Sequence, residues 1–222
     1  MSNVQQSTRA PRVVIIGAGM AGILTAIKLR EAGYSDYVIY EKSDRIGGTW
    51  RENTYPGIAC DVPAHLYTYS FEPNPDWTST FACGSEIQAY FERVVEKYGV
   101  RPVIRFNEAV DSCEFVDERW HIVTSTGRHD EADVVVAATG VLHHPHVADI
   151  PGLAQFAGAC FHSARWDHSV PLEGKRVGVI GTGSTAIQIT SALVDKVARF
   201  ELFQRTAQWI MPIENKPFSA EE

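Results

Sequence analysis

The chain has 222 residues, with 20 Lys and Arg against 27 Asp and Glu for a formal charge of −7, and it is 45% apolar and 21% charged. Those proportions are ordinary for a globular protein and exclude a disordered, collagenous or disulfide-rich chain. The acidic balance leaves no electrostatic footprint for nucleic acid or an anionic membrane surface, so small-molecule chemistry remains, on one large domain or two small ones.

A polar tail, residues 1–11, precedes RVVII, an unbroken β-branched run that predicts a strand buried on both faces. GAGMAG then opens a predicted helix over about Met20 to Ala32, closed by Gly33. The apolar stretch Val13 to Ile27 is interrupted by three glycines and followed by Lys28, and it is shorter than the roughly 20 residues of a membrane span. A soluble, cytoplasmic chain without membrane contact is expected. Tyr37 to Glu41 is the next strand, and the strand, glycine turn, helix, strand order is a βαβ unit with a parallel sheet.

From Ser43 to Trp77 the chain is rich in Gly, Pro, Asn and aromatics without periodicity, long for a passive loop and therefore a place to expect function. Ser85 to Tyr98 returns to helical spacing, with Ile87, Tyr90, Phe91, Val94 and Val95 on one face. Two alternating segments, Glu108 to Phe115 and Trp120 to Ser125, predict an antiparallel hairpin, and ADVVVAATG predicts another buried strand. After a Pro- and His-bearing connection, Leu142 to Pro171, KRVGVIGTGSTAIQITSAL repeats the opening pattern, ARFELFQR closes the repeat, and the rest reads as a tail.

The first repeat carries GxGxxG at Gly17, Gly19 and Gly22, glycines that allow a tight turn, close approach of backbone to a pyrophosphate and close helix–strand packing. Glu41 stands 24 positions after Gly17, at the strand end where an acid accepts hydrogen bonds from ribose hydroxyls. The second repeat carries GxGxxA at Gly181, Gly183 and Ala186, but Arg205 occupies the equivalent place. A guanidinium there holds a 2′-phosphate, so the second site is expected to take NADP, with Thr206 as a helper. Two dinucleotide units commonly serve hydride transfer from a nicotinamide to a flavin, which puts FAD in the first. At this point a reductase and a monooxygenase are equally open.

Four scattered cysteines, Cys60, Cys83, Cys113 and Cys160, contain no CxxC pair and read as free thiols. His143, His144 and His146 are read as a solvated loop and not a metal site, since Pro145 breaks any regular register among them.

Between the two motifs, FAGACFHSARWD resembles the FxGxxxHxxxW(P/D) fingerprint of flavin-dependent Baeyer-Villiger monooxygenases, matching at Phe156, Gly158, His162, Trp166 and Asp167. GGTWRENTYPGIACDVPAHLYTYSF, VVAATG and FQRTAQWIMP are similar to that family too. The resemblance implies a Rossmann-like α/β flavoprotein with two dinucleotide-binding domains, a parallel sheet and an antiparallel β-meander. Its partition would be a tail (1–11), an FAD-binding domain (12–141), a fingerprint linker (142–174) and the start of an NADP-binding domain (175–222).

The implied chemistry uses NADPH, FAD and O2 to convert a small-molecule ketone to an ester or lactone through a peroxyflavin. The FAD site would comprise Gly17, Gly19, Ala21, Gly22, Glu41, Thr49, Trp50, Asp61, Tyr67 and Val110. The NADP site would comprise Thr182, Gly183, Ser184, Thr185, Ala186, Arg205 and Thr206. Asp61 would be the catalytic residue, working with an arginine to which nothing in this sequence corresponds, and His162 and Trp166 would respond conformationally to the nicotinamide.

Family members are longer, so the resemblance also implies an apparently truncated chain. The alternatives at this stage are a catalytically incomplete FAD-binding remnant and a flavin monooxygenase that oxidises nitrogen or sulfur.

Overall fold

A computed structural model describes residues 9–142 and 144–219; most of the N-terminal tail, His143 of the histidine group and the last three residues lie outside the described residues. In chain order the elements are β1 (Val13–Ile16), α1 (Met20–Glu31), β2 (Tyr37–Tyr40), the single turn α2 (Thr49–Glu52), α3 (Gly84–Lys97), β3 (Ile104–Arg105), β4 (Val110–Val116), β5 (Arg119–Thr124), β6 (His129–Ala132), β7 (Val134–Ala137), β8 (Arg176–Ile180), α4 (Ser184–Leu193) and β9 (Arg199–Phe203). They fall into two units, residues 1–48 with 91–141 and residues 49–90 with 142–222.

The first unit is built on a parallel sheet in the order β3-β2-β1-β7, with Val13 to Ile16 in register with Tyr37 to Tyr40 on one side and Val134 to Ala137 on the other. Val14 and Ile15 have no exposed surface, as a central strand covered on both faces requires. The antiparallel sheet β4-β5-β6 packs its Ile122, Ala132, Trp120, Cys113 and Val110 against Val14, Val38 and Tyr40. The Rossmann-like α/β arrangement with a meander is therefore present.

The predicted hairpin has a third strand. Asp117 and Glu118 turn with φ of 51° and 62°, the left-handed pair that matches the right-handed twist of the flanking strands. The added strand, β6, reads His-Asp-Glu-Ala and shows no apolar alternation. Charges hold it instead, with Arg119 of β5 reaching Glu131 and the following Asp133.

A polar cluster joins the two sheets of this unit. Arg12 donates through Nε and Nη2 to the two carboxylate oxygens of Asp130, at 3.1 and 2.7 Å, and also pairs with Asp36. The Tyr40 hydroxyl donates to Asp130 at 2.7 Å. Burial and that hydrogen bond push the Tyr40 phenol well above its ordinary range. The Arg12 and Tyr40 bonds hold the Asp130 carboxyl below the usual value against the opposing effect of burial.

In the second unit β8 and β9 pair in parallel over Arg176 to Ile180 and Arg199 to Phe203. Ile189 and Leu193 of α4 pack with Tyr55, and Ile58, Trp166, Val179 and Phe200 close around them. The long aperiodic segment is held by an aromatic of α3: the Tyr90 hydroxyl donates to the Glu72 carbonyl at 2.7 Å and accepts from the Tyr69 amide at 2.9 Å. The predicted C-terminal tail is not free. Thr80 N–H donates to Lys216 O, Phe218 N–H to Thr78 O, and the Asn215 side chain exchanges two hydrogen bonds with the backbone of Phe81. An asparagine amide satisfies a peptide's donor and acceptor at once, a return that no hydrophobic pattern announces.

Two candidate dinucleotide loops

In the first unit the chain leaves β1 at Gly17, whose φ is +101° and where a Cβ would lie 2.6 Å from the Ala138 carbonyl oxygen. A Cβ on Gly22 would stand 1.9 Å from the Gly17 carbonyl oxygen, so close packing of α1 on its own loop demands that glycine. Gly19 is different. A Cβ there meets nothing nearer than Gly48 Cα at 3.6 Å, an ordinary contact. Packing therefore leaves Gly19 free to carry a side chain, and what such a side chain would occupy is the approach to the start of α1. That helix begins without a capping side chain and without an acid in its first turn, the terminus that suits an anion.

Glu41 follows β2 directly and is 6% exposed. One carboxylate oxygen accepts the Ala18 N–H at 2.7 Å and the other accepts the Ser43 N–H at 2.9 Å. The strand-end acid thus holds the glycine loop in place and retains lone pairs for a vicinal diol. Ala21 lies in the first turn of α1, and Val110 packs in the core between sheet and meander.

In the second unit the corresponding loop is more open. A Cβ at Gly181 or Gly183 meets no atom within 4 Å, and α4 again starts without a capping side chain or an acid. Ala186, in the first turn of α4, is buried. The Thr182 hydroxyl donates to the Thr206 carbonyl at 3.0 Å, and Gly181 N–H donates to Phe203 O at 2.9 Å. These bonds bring the end of β9 to the glycine loop, with Arg205 and Thr206 exposed beside Thr182 and the hydroxyls of Ser184 and Thr185 opening the helix.

The same unit contains Thr49, Trp50, Asp61, Tyr67 and the fingerprint. Thr49 opens α2. Trp50 Nε1 donates to the Tyr67 hydroxyl at 3.0 Å, their rings meet edge-on at 5.6 Å, and burial pushes the Tyr67 phenol up. Asp61 is exposed, and its Oδ1 accepts from Gln188 Nε2 at 2.9 Å.

In the fingerprint, Phe156 is exposed and lies where a Cβ on Gly158 would stand 2.6 Å from its ring. His162 Nδ1 accepts the Ala164 N–H, capping a short turn, and Trp166 joins the Tyr55, Ile189 and Leu193 core. Asp167 accepts from the amide and hydroxyl of Ser169, which hold its carboxyl below the usual range. His144 and His146 are exposed, and among the described residues no three His, Cys, Asp or Glu are placed to hold a metal. No helix among the described residues is long and apolar enough to cross a membrane.

Gln188 and Tyr55 escaped the sequence reading. A glutamine in mid-helix and a tyrosine in a loop carry no motif, and only the fold brings them together.

A family model for pyridine nucleotide-disulphide oxidoreductases matches residues 14–217. The chain is 52% identical over 211 residues to an uncharacterized monooxygenase of Mycobacterium tuberculosis, covering 95% of this chain and 43% of that protein. It is 48% identical over 224 residues to a Baeyer-Villiger monooxygenase of Streptomyces coelicolor, covering 100% of this chain and again 43% of the relative. Among solved structures, the crystal structure of OTEMO in complex with FAD and NADP superimposes with a TM-score of 0.89 at 34% identity, over 97% of this chain and 43% of that one. The chain thus spans less than half the length of the proteins it matches.

Proposed function

We propose, from the premise that this chain belongs to the pyridine nucleotide-disulphide oxidoreductase family and within it to the flavin-dependent Baeyer-Villiger monooxygenases, that it takes part in an NADPH-dependent oxygenation of a small ketone to an ester or lactone. The observation that carries this reading is the pair of strand–glycine–helix loops with opposite chemistry at their strand ends, a buried Glu41 in one and an exposed Arg205 in the other. One loop suits a ribose diol and the other a 2′-phosphate.

Both loops fit their groups. The open approach at Gly19, the uncapped α1 terminus and Glu41 suit the diphosphate and ribose of FAD. Around Gly181 and Gly183 there is room for a second diphosphate, with the Ser184 hydroxyl and the guanidinium of Arg205 available to donate and Thr182 and Thr185 beside them. FAD supplies the redox and oxygen chemistry when bound. This chain's residues bind and orient: the loop amides and helix termini face phosphate charge, Glu41 fixes one ribose, and Arg205 with Thr206 selects the phosphorylated nicotinamide cofactor.

By family resemblance we assign Thr49, Trp50, Asp61, Tyr67 and Val110 to the flavin, with Asp61 as the catalytic carboxylate, and the segment Phe156 to Asp167 to a linker that responds to the nicotinamide. The domain assignment that goes with this reading is 12–141 for FAD, 142–174 for the linker and 175–222 for the start of the NADP domain.

The test is spectroscopic and then isotopic. Protein incubated with FAD and passed through gel filtration is expected to keep its flavin band, which bleaches with NADPH under nitrogen and returns in air. With 18O2 and a cyclic ketone, one labelled oxygen is expected in the lactone. Flavin-free protein overturns the FAD assignment, and an unlabelled ketone alongside an oxidised sulfide overturns the Baeyer-Villiger reading in favour of heteroatom oxidation.

Arg205→Ala is expected to weaken NADPH binding by about 10- to 100-fold, the value of a charge-assisted hydrogen bond or two, and NADH by no more than about twofold. Titration of both nucleotides checks this, and equal losses overturn the 2′-phosphate assignment.

A further inference from the structure

Gln188, Tyr55 and Ala59 belong to no site described so far. Gln188 lies one turn into α4, the helix that starts at the second glycine loop. Its Nε2 donates to the Ala59 carbonyl at 2.9 Å and to Asp61 Oδ1 at 2.9 Å. Its Oε1 accepts from the Tyr55 hydroxyl at 2.9 Å and, more weakly, from the Ala59 N–H at 3.4 Å. One amide therefore spends both donor hydrogens and both acceptor lone pairs on a single seven-residue stretch, Tyr55 to Asp61, which is the full capacity of the group.

The stretch is seated on the helix in other ways. Gly57, at φ +82°, passes so close that a Cβ would stand 2.6 Å from the Gln188 carbonyl oxygen and 3.0 Å from Ala192 Cβ. Tyr55 is 7% exposed and packs with Ile189, the residue after Gln188, and with Leu193, one turn further along α4. Its phenol is pushed up by burial, with a hydrogen bond from the Thr185 side of α4 opposing and the Asp61 charge adding. Tyr55 thus reaches both the first turn of α4 and, through Gln188, the carboxylate.

We propose that Gln188 is a positioning residue: its amide fixes the Asp61 carboxylate and the Tyr55 to Asp61 loop to α4, so that a dinucleotide held at the start of that helix orders the loop that carries Asp61. The inference rests on the reading of the second glycine loop as the NADP site and extends it. A helix is stiff over a single turn, whereas the Tyr55 to Asp61 loop, held on its other side by the antiparallel Ala59–Cys83 bridge with Cys60 N–H donating to Ala82 O at 2.9 Å, loses backbone entropy to stay in one conformation. The hydrogen bonds to Gln188 couple the loop's order, and the Asp61 carboxylate in particular, to the helix as well. A ligand that restrains the helix start lowers the cost of keeping the loop in place, and by linkage an ordered loop favours the ligand equally.

Hydrogen–deuterium exchange with and without saturating NADP+ tests the assignment, in the natural protein, in Gln188→Leu and in Gln188→Glu. In the natural protein NADP+ is expected to slow exchange at residues 181–186 and, by about tenfold, at residues 57–61. Gln188→Leu, of similar size without polar atoms, keeps the first effect and loses the second. Gln188→Glu, which retains an acceptor for Tyr55 but presents no donor to Asp61, recovers only part of it.

Slowing at 57–61 that survives in Gln188→Leu overturns the proposal. Slowing at 181–186 with none at 57–61 in the natural protein also overturns it and leaves the NADP site standing, a result that needs no variant to fold. Absence of slowing at 181–186 overturns the NADP site itself and the inference with it.

Discussion

Gly22→Ala is expected to destabilise the first unit by about 3 kcal/mol or more, while Gly19→Ala costs no more than about 1 kcal/mol. The difference follows from two distances. An alanine Cβ at position 22 lands 1.9 Å from a backbone oxygen of the turn that α1 packs on, and neither partner is a flexible side-chain end that could yield. At position 19 the nearest atom is at 3.6 Å. Urea unfolding followed by circular dichroism separates the two variants. Flavin retention then gives the complementary result: Gly19→Ala folds but loses FAD, because its methyl group fills the space over the α1 terminus. Equal stability of the two variants, or a fully flavinated Gly19→Ala, contradicts the division of labour between a packing glycine and a binding glycine.

Arg12→Ala is expected to cost about 2 to 3 kcal/mol at pH 7, somewhat less than breaking a fully buried ion pair because the guanidinium is 27% exposed. The loss depends on pH in a stated direction. Asp130 titrates below the usual carboxylate value in the folded protein. Its contribution is therefore fully present above the unfolded-chain value of about 3.9 and is lost as pH falls through the lower folded value. Removing Arg12 takes away that pairing, so the stabilities of the natural protein and the variant converge as pH drops from about 5 toward 3. Parallel curves over that range would show that Arg12 acts through packing and not through its charge.

The elements that the sequence disclosed best are those whose chemistry is local. Val13 to Ile16, Gly17, Gly19, Gly22 and Glu41 lie within 29 consecutive residues, and each has a residue type that only a few conformations accept. The second strand–glycine–helix loop was legible for the same reason. What stayed hidden depends on partners distant in the chain. Strand β6 is polar because charges on β5 and at Asp133 hold it, so no apolar alternation marked it. Gln188 is an ordinary helical residue until the fold lays Ala59 and Asp61 against it across 129 and 127 positions. The return of residues 215–218 to 78–81 rests on backbone groups and one asparagine, which a reading of side-chain periodicity does not register.

That return gives residues 204–214 the status of a closed loop, tied at one end to β9 and at the other through Asn215 and Lys216. The entropy of closing such a loop grows only with the logarithm of its length, by about 0.6 kcal/mol for each doubling. Relatives can therefore lengthen or shorten the span that carries Trp209 and Met211 at little thermodynamic expense. The two anchors have no such latitude, since a shift of one residue at Asn215 would misalign both of its hydrogen bonds to Phe81 at once.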